Sequence, residues 1–198
     1  MSEQKEHGKP IEIFTALDLE MAQPSNRIIQ IGAVCGNIKT GEVFERLSVF
    51  VNPHEQLTTK ILELTGIKQE DVDGGVTLEE GYDRLKAMHR KYKAFLNPLT
   101  FGGGDSLLIL KQLKDENPNF SENDGDQWCF GRRWIDVKTL YVSWRIANEQ
   151  QIQGGLKNAC KKVKVQSYGP FHRADMDALN TFNLFRGMLE FLKNDDKV

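Results

Sequence analysis

Asp18 and Glu20 close an otherwise apolar run, IEIFTALDLE at residues 11–20. At period two, Ile11, Ile13, Leu17 and Leu19 fall on one face of a strand, and Asp18 and Glu20 fall together on the other. Positions i and i+2 on a strand lie about 6.5–7 Å apart. Two carboxylates that close repel unless a cation or a water separates them, so the chemistry open to the pair is that of a cation site. Taken alone, the stretch fits an edge strand with two solvated acids equally well. Three further residues extend the set. Asp105 follows Phe101-Gly102-Gly103-Gly104, where a strand should hand over to a helix, and His172 and Asp177 stand in FHRADMDALN at the entry to the last helix. Four acids and one histidine therefore end three separate elements, with no evident packing role. Each has a plainer reading: Asp105 as a helix N-cap, His172 as a surface loop residue, and Asp175 as a competitor to Asp177, since an acid in a first helical turn also suits the dipole. His7, His54 and His89 read as exposed and without a role.

The elements that must position this set follow from periodicity. Strands are expected over 11–20, 27–36 and 42–51, the second largely buried, with turn chemistry at 37–41; together they make an antiparallel meander. Helical spacing covers 56–64 and 78–92. A short apolar strand at 98–101 precedes the glycines, and a helix follows over 105–114. Residues 115–127 are polar and acidic and read as a mobile loop. A strand at 134–137 leads into helices at 138–148, 155–163 and 174–192. Residues 1–9 read as a loose tail, leaving one domain over 10–195. Strands first, then strand–helix alternation, predicts an α/β fold: one mixed sheet of about five strands flanked by helices.

With 198 residues, the chain is long enough for one substantial core, and its net charge of −2 carries no electrostatic footprint for duplex DNA. That argues against an architectural or sequence-specific DNA binder. It leaves room for an enzyme that holds a few phosphates locally. Cys35, Cys129 and Cys160 are odd in number and widely spaced, which predicts free thiols in a reducing compartment and no structural zinc. The N-terminus is polar and no run approaches membrane-spanning length, so a cytoplasmic protein with no membrane partner is expected.

The motifs resemble those of the DEDDh exonucleases, also called DnaQ-like or RNase T-like, in the RNase H-like superfamily. Asp18-Leu19-Glu20 matches the first motif, Asp105 the second, and His172 with Asp177 and Ala178 the third. Leu64-Thr65-Gly66-Ile67 matches an intervening loop and Trp134-Ile135-Asp136 a later strand, so the likeness covers roughly residues 10–193. The DLEM wording is similar to that of oligoribonucleases. FGGGD is closer to Eri-like and sporulation-inhibitor-like members than to proofreading subunits. Arg173 disfavours the tyrosine variant of the superfamily, as does Tyr168, which lies outside the expected spacing.

The resemblance implies a metal-dependent 3′→5′ exonuclease that removes nucleoside 5′-monophosphates from single-stranded DNA or RNA 3′ ends. Two divalent ions, Mg²⁺ or Mn²⁺, would be held by Asp18, Glu20, Asp105 and Asp177, with Asp18 bridging and Asp105 at the edge of the site. His172 would take the proton of the attacking water, a task that suits histidine at neutral pH. Met21, Ala22, Thr65 and Ile67 are the expected contacts to the terminal base; the alternative makes Ile67 core and Met21 a gap filler. Lys157, Lys161, Lys162 and Lys164 either follow the strand or form a solvated face. A homodimer and a polymerase or RNA-processing partner are further expectations, and the alternative to an active enzyme is a catalytically inactive nucleic-acid-binding module of the same fold.

Overall fold

The computed structural model describes residues 10–193; the expected tail at 1–9 and residues 194–195 lie outside that range. Five strands form one mixed sheet in the order β3-β2-β1-β4-β5. Strands β1 (Ile13–Met21), β2 (Ile28–Asn37) and β3 (Val43–Phe50) make the antiparallel meander. The short strands β4 (Leu99–Thr100) and β5 (Ile135–Asp136) add parallel to β1 on its other side. Strand β1 is therefore central, which excludes the edge-strand reading of Asp18 and Glu20. Both of its faces are packed. Ile13, Leu17 and Leu19 join one cluster, while Phe14 and Ala16 lie on the face that ends in Asp18 and Glu20. Ile11 lies before the strand and is exposed.

Among the described residues, seven helices connect and flank the strands. Helix α1 (Thr59–Thr65), α2 (Gln69–Asp73) and α3 (Leu78–Lys91) connect β3 to β4. Helix α4 (Asp105–Glu116) links β4 to β5. Helices α5 (Val137–Ala147), α6 (Leu156–Val163) and α7 (Ala174–Leu192) complete the chain. Helix α2 escapes the periodicity reading because its five residues bury only Val72. Helix α3 starts where Thr77 accepts a hydrogen bond from Glu80 N, in a capping box.

Helix α7 lies on one face of the sheet and brings Phe182 and Phe185 against Phe14, Ala16 and Val34. Helices α3 and α4 cover the other face through Tyr82, Leu85 and Ile109. A third cluster of Ala22, Ile29, Leu57, Ile61, Ile67 and Val72 closes the region just beyond β1. Burying both faces makes the sheet rigid, so residues at its strand ends are held in place.

His89 departs from expectation: it is buried, shares a 2.9 Å hydrogen bond with the Thr15 hydroxyl, and packs edge-on to Phe130. His54 is exposed as expected, and His7 lies outside the described residues. In the 115–127 segment, Phe120 packs against Tyr82 and Trp128, and Lys86 Nζ donates to Asp126 O at 3.1 Å. All three cysteines are free. No described helix is long and apolar enough to cross a membrane.

Candidate active site

The topology explains why distant acids meet. Asp18 and Glu20 lie at the C-terminal end of β1, and β4 runs parallel beside it. The chain leaving β4 enters α4 at Asp105, so this carboxylate arrives at the same end of the sheet. Helix α7 supplies Asp177 from its first turn. Its approach depends on Gly32, the cross-strand partner of Asp18 on β2. A Cβ at Gly32 would overlap the backbone of Ala174 and Asp175, so the bare strand lets the helix start directly on the sheet.

Gln30, the cross-strand partner of Glu20, then fixes that helix end. Its side-chain oxygen accepts from Ala174 N at 3.1 Å, and its amide donates to Ser48 Oγ at 2.9 Å and Asp175 Oδ1 at 3.3 Å. Asp175 also faces Arg46 at 3.6 Å. It is therefore engaged away from the other acids, whereas Asp177 faces them. His172 sits in the loop before α7 with a left-handed backbone, φ 63°. That conformation aims its backbone N–H at Asp177 Oδ2, 2.9 Å away. Asn180, fully buried on α7, clamps the same loop through both backbone groups of Tyr168.

The electrostatics show four carboxylates in one field. Burial first, then the charges of Asp105, Asp177 and Glu20, push Asp18 well above the ordinary carboxylate range. Burial, then Asp177 and Asp105, push Glu20 up to about 7, with the Arg173 guanidinium pulling back. Asp105 is pushed up to about 7 by burial and then by Asp136. Asp136 itself holds the glycine loop, accepting from Gly102 N at 2.9 Å while capping α5 through Lys138 N. Asp177 is raised by burial against the opposing pull of the His172 N–H.

This arrangement fits a divalent cation. One ligand atom each from Glu20, His172 and Asp177 lies within 4.8 Å of the others. Asp177 Oδ1 is buried with no hydrogen-bond partner. A buried acceptor left unsatisfied costs about 1–3 kcal/mol, more when charged, and a cation would satisfy it.

The remaining expected contacts gather beyond β1. Ala22 and Ile67 are fully packed in the third cluster, and Thr65 is buried with its hydroxyl bonded to Ile61 O. Met21 is half-buried. The residues that position the site, Gln30, Gly32, Asp136 and Asn180, escaped the sequence reading. The signal for two of them was present: a glutamine and a glycine interrupt the apolar run IIQIGAV.

Comparison with known proteins bears on the family and the fold. Residues 14–185 match the RNase_T family of exonucleases. A PolC-type DNA polymerase III from Halalkalibacterium halodurans is 39% identical over 180 residues, covering 89% of this chain and 11% of the polymerase. The ERI1 exoribonuclease 2 of Mus musculus is 29% identical over 174 residues, covering 79% of this chain and 24% of that protein. The chain thus spans a minor part of the length of either relative. Among solved structures, the nuclease domain of 3′hExo, a DEDDh family member bound to rAMP, superposes with a TM-score of 0.75 at 20% identity, covering 92% of this chain and 94% of that one. Cell-death related nuclease 4 superposes with a TM-score of 0.77 at 16% identity, covering 92% and 65%. These structural likenesses speak to the fold, and the sequence match, which runs from β1 into α7, speaks to descent: the chain belongs to the RNase_T family of exonucleases.

Proposed function

We propose that this protein hydrolyses phosphodiester bonds stepwise from the 3′ end of single-stranded nucleic acid and releases nucleoside 5′-monophosphates. The observation that carries the reading is the convergence of Asp18, Glu20, Asp105 and Asp177 around an unpartnered carboxylate oxygen, with His172 exposed at the rim. Repelling acids kept together on a rigid sheet end are poorly explained as packing and well explained as ligands.

Asp18, Glu20 and Asp177 would hold one divalent ion, with Asp18 and Asp105 reaching a second; Mg²⁺ or Mn²⁺ suits such oxygen donors. Bound there, the ions would activate water and neutralise charge on the entering and leaving oxygens. The protein's own groups do the rest. His172 accepts the proton of the attacking water on its ring and, being exposed, returns it to solvent. The backbone bond from His172 to Asp177 holds the ring beside the acids through the reaction. The space over the glycine loop is open, since even a Cβ at Gly103 or Gly104 would meet nothing within 4 Å. Half-buried Met21 would offer an apolar surface to the terminal base, with the buried Ala22, Thr65 and Ile67 acting behind it.

The test is a 5′-labelled single-stranded DNA and an RNA of equal sequence, incubated with Mg²⁺ or Mn²⁺, with EDTA, and with Asp18→Asn. A ladder of stepwise-shortened products that disappears with EDTA and with the variant is expected. Intact substrate in every lane, with binding still measurable, would sink the hydrolase reading in favour of a binding module.

A further inference from the structure

Between residues 150 and 174 the chain carries Lys157, Lys161, Lys162, Lys164 and Arg173 and no Asp or Glu, although its net charge is −2. The four lysines are exposed on or just after α6. None of them is ion-paired among the described residues, whereas Lys39, Lys86, Lys91, Lys111 and Lys114 each hold a carboxylate. Lys60, Lys93 and Lys138 are also without a carboxylate among the described residues but stand singly, whereas four such lysines within residues 157–164 make a local positive field.

Their placement gives that field a direction. Lys157 Nζ lies 5.8 Å from the centre of the Phe171 ring, and Phe171 immediately precedes His172. Lys161 stands one helical turn further along the same face, about 6 Å on. Both line a groove of about 580 Å³, whose other wall is Val165 and Ser167. A cation over an aromatic ring at the edge of the catalytic loop, continued by a second cation along an open groove, matches a single strand. The half-buried ring, packed on the core, steadies Lys157 at the edge of the catalytic loop, and the lysines are placed to meet successive phosphates. The lining also holds Asn158, whose side-chain nitrogen is already committed to Gln153 O.

Building on the proposed exonuclease reading, we infer that the groove between α6 and the 165–171 loop carries the substrate strand upstream of the scissile phosphate, with Lys157 and Lys161 each neutralising one phosphate. Two phosphate contacts to a single strand contribute about 1.4 to the slope of log K against log salt, equal to a ten- to thirty-fold share of affinity near 0.1 M salt.

The experiment compares the wild type with Lys157→Ala/Lys161→Ala, with Lys157→Arg/Lys161→Arg, and with Lys39→Ala/Lys68→Ala, which removes the same charge elsewhere. Fluorescence anisotropy of a 5′-labelled oligothymidylate of about twelve nucleotides, in EDTA and a KCl series, gives the salt slope. With Mn²⁺ present, kcat/KM for that oligomer is divided by kcat/KM for the p-nitrophenyl ester of thymidine 5′-monophosphate, which has no upstream strand. The alanine pair is expected to lower the ratio ten- to thirty-fold and flatten the slope by about 1.4. The arginine pair should restore both, and the control pair should move neither. An unchanged ratio and slope in the alanine pair, or an equal loss in the control, would overturn the inference. The single variants Lys157→Gln and Lys161→Gln, each expected to remove about 0.7 of the slope, decide the matter if the double variant is unfolded. A wild type that binds the strand with the expected slope but hydrolyses neither substrate would defeat the exonuclease reading and leave the lysine track standing.

Discussion

Two local costs stand within one turn of each other: the unpartnered Asp177 Oδ1 and the left-handed backbone of His172. A non-glycine residue in that conformation costs on the order of 1–2 kcal/mol. The fold holds it through the His172 N–H bond to Asp177. Strain and an orphaned acceptor placed together are the pattern of a functional constraint. They separate two roles for His172. If its ring only moves a proton, His172→Ala should slow turnover by about 10²–10⁴-fold and leave Mn²⁺ affinity within a factor of two or so. Isothermal titration with Mn²⁺ beside single-turnover kinetics makes the distinction, and a parallel loss of metal affinity would make the histidine a ligand. Asp18 gives the complementary case. Burial and three neighbouring acids oppose its charge, so Asp18→Asn should abolish turnover while raising the melting temperature of the metal-free protein near pH 8. A variant that retains wild-type rates would show that the site is centred elsewhere.

Helix α7 is positioned by β2, and that dependence was only half visible beforehand. The acids stand out in the sequence because each ends an element where packing gives no reason for a charge. The bounds of α7 were equally legible, since its apolar residues recur at helical spacing from Ala174 to Leu192. Gln30 and Gly32 were not, because their partners lie more than 140 residues away. Periodicity reports which face of a strand is buried, not what is laid on it. His89 was misread for the same reason: a histidine in a charged helix end looks solvated until Thr15 and Phe130 are brought against it. The pairing between β2 and α7 makes a direct prediction. Gln30→Leu leaves the Ala174 N–H without its acceptor, which should cost about 1–3 kcal/mol in urea unfolding. Because the same contact sets where Asp177 sits, Mn²⁺ affinity should fall with it. Gly32→Ala places a methyl against backbone that no rotamer change can move, so it should cost at least 1–3 kcal/mol. A Gly32→Ala protein with wild-type stability and activity would show that α7 does not rest on the sheet at this point.

Across the whole molecule, the charges that would hold metal oppose folding when no metal is present. Glu20 and Asp105 sit near 7 in the native state against ordinary values of 4.5 and 3.8. Between about pH 4 and 7 the native state therefore binds more protons than the unfolded chain, and stability falls as pH rises through that window. His89 works in the other direction. Burial and the Arg90 charge lower it to about 4 from 6.5, so the unfolded chain binds its proton first and stability rises with pH from about 4 to 6.5. The two windows overlap, but only the carboxylate term persists above pH 6.5, and Asp18 and Asp177 add to it in the same sense. The metal-free protein should therefore lose on the order of 2–3 kcal/mol of stability between about pH 6.5 and pH 8. A divalent ion that binds these carboxylates only in the native state reverses the loss by mass action. Thermal melts in EDTA and in about 5 mM MgCl₂ should then differ by roughly 5–10 °C near pH 8 and by much less near pH 5.5, where native Glu20 and Asp105 still carry protons. Asp18→Asn should melt higher than wild type in EDTA near pH 8 and gain little from Mg²⁺. Equal shifts at both pH values would place the ion on groups other than these acids. A wild-type melt in EDTA that does not fall between about pH 6.5 and pH 8 would mean that the four carboxylates are not held as close as the sheet end and helix α7 place them.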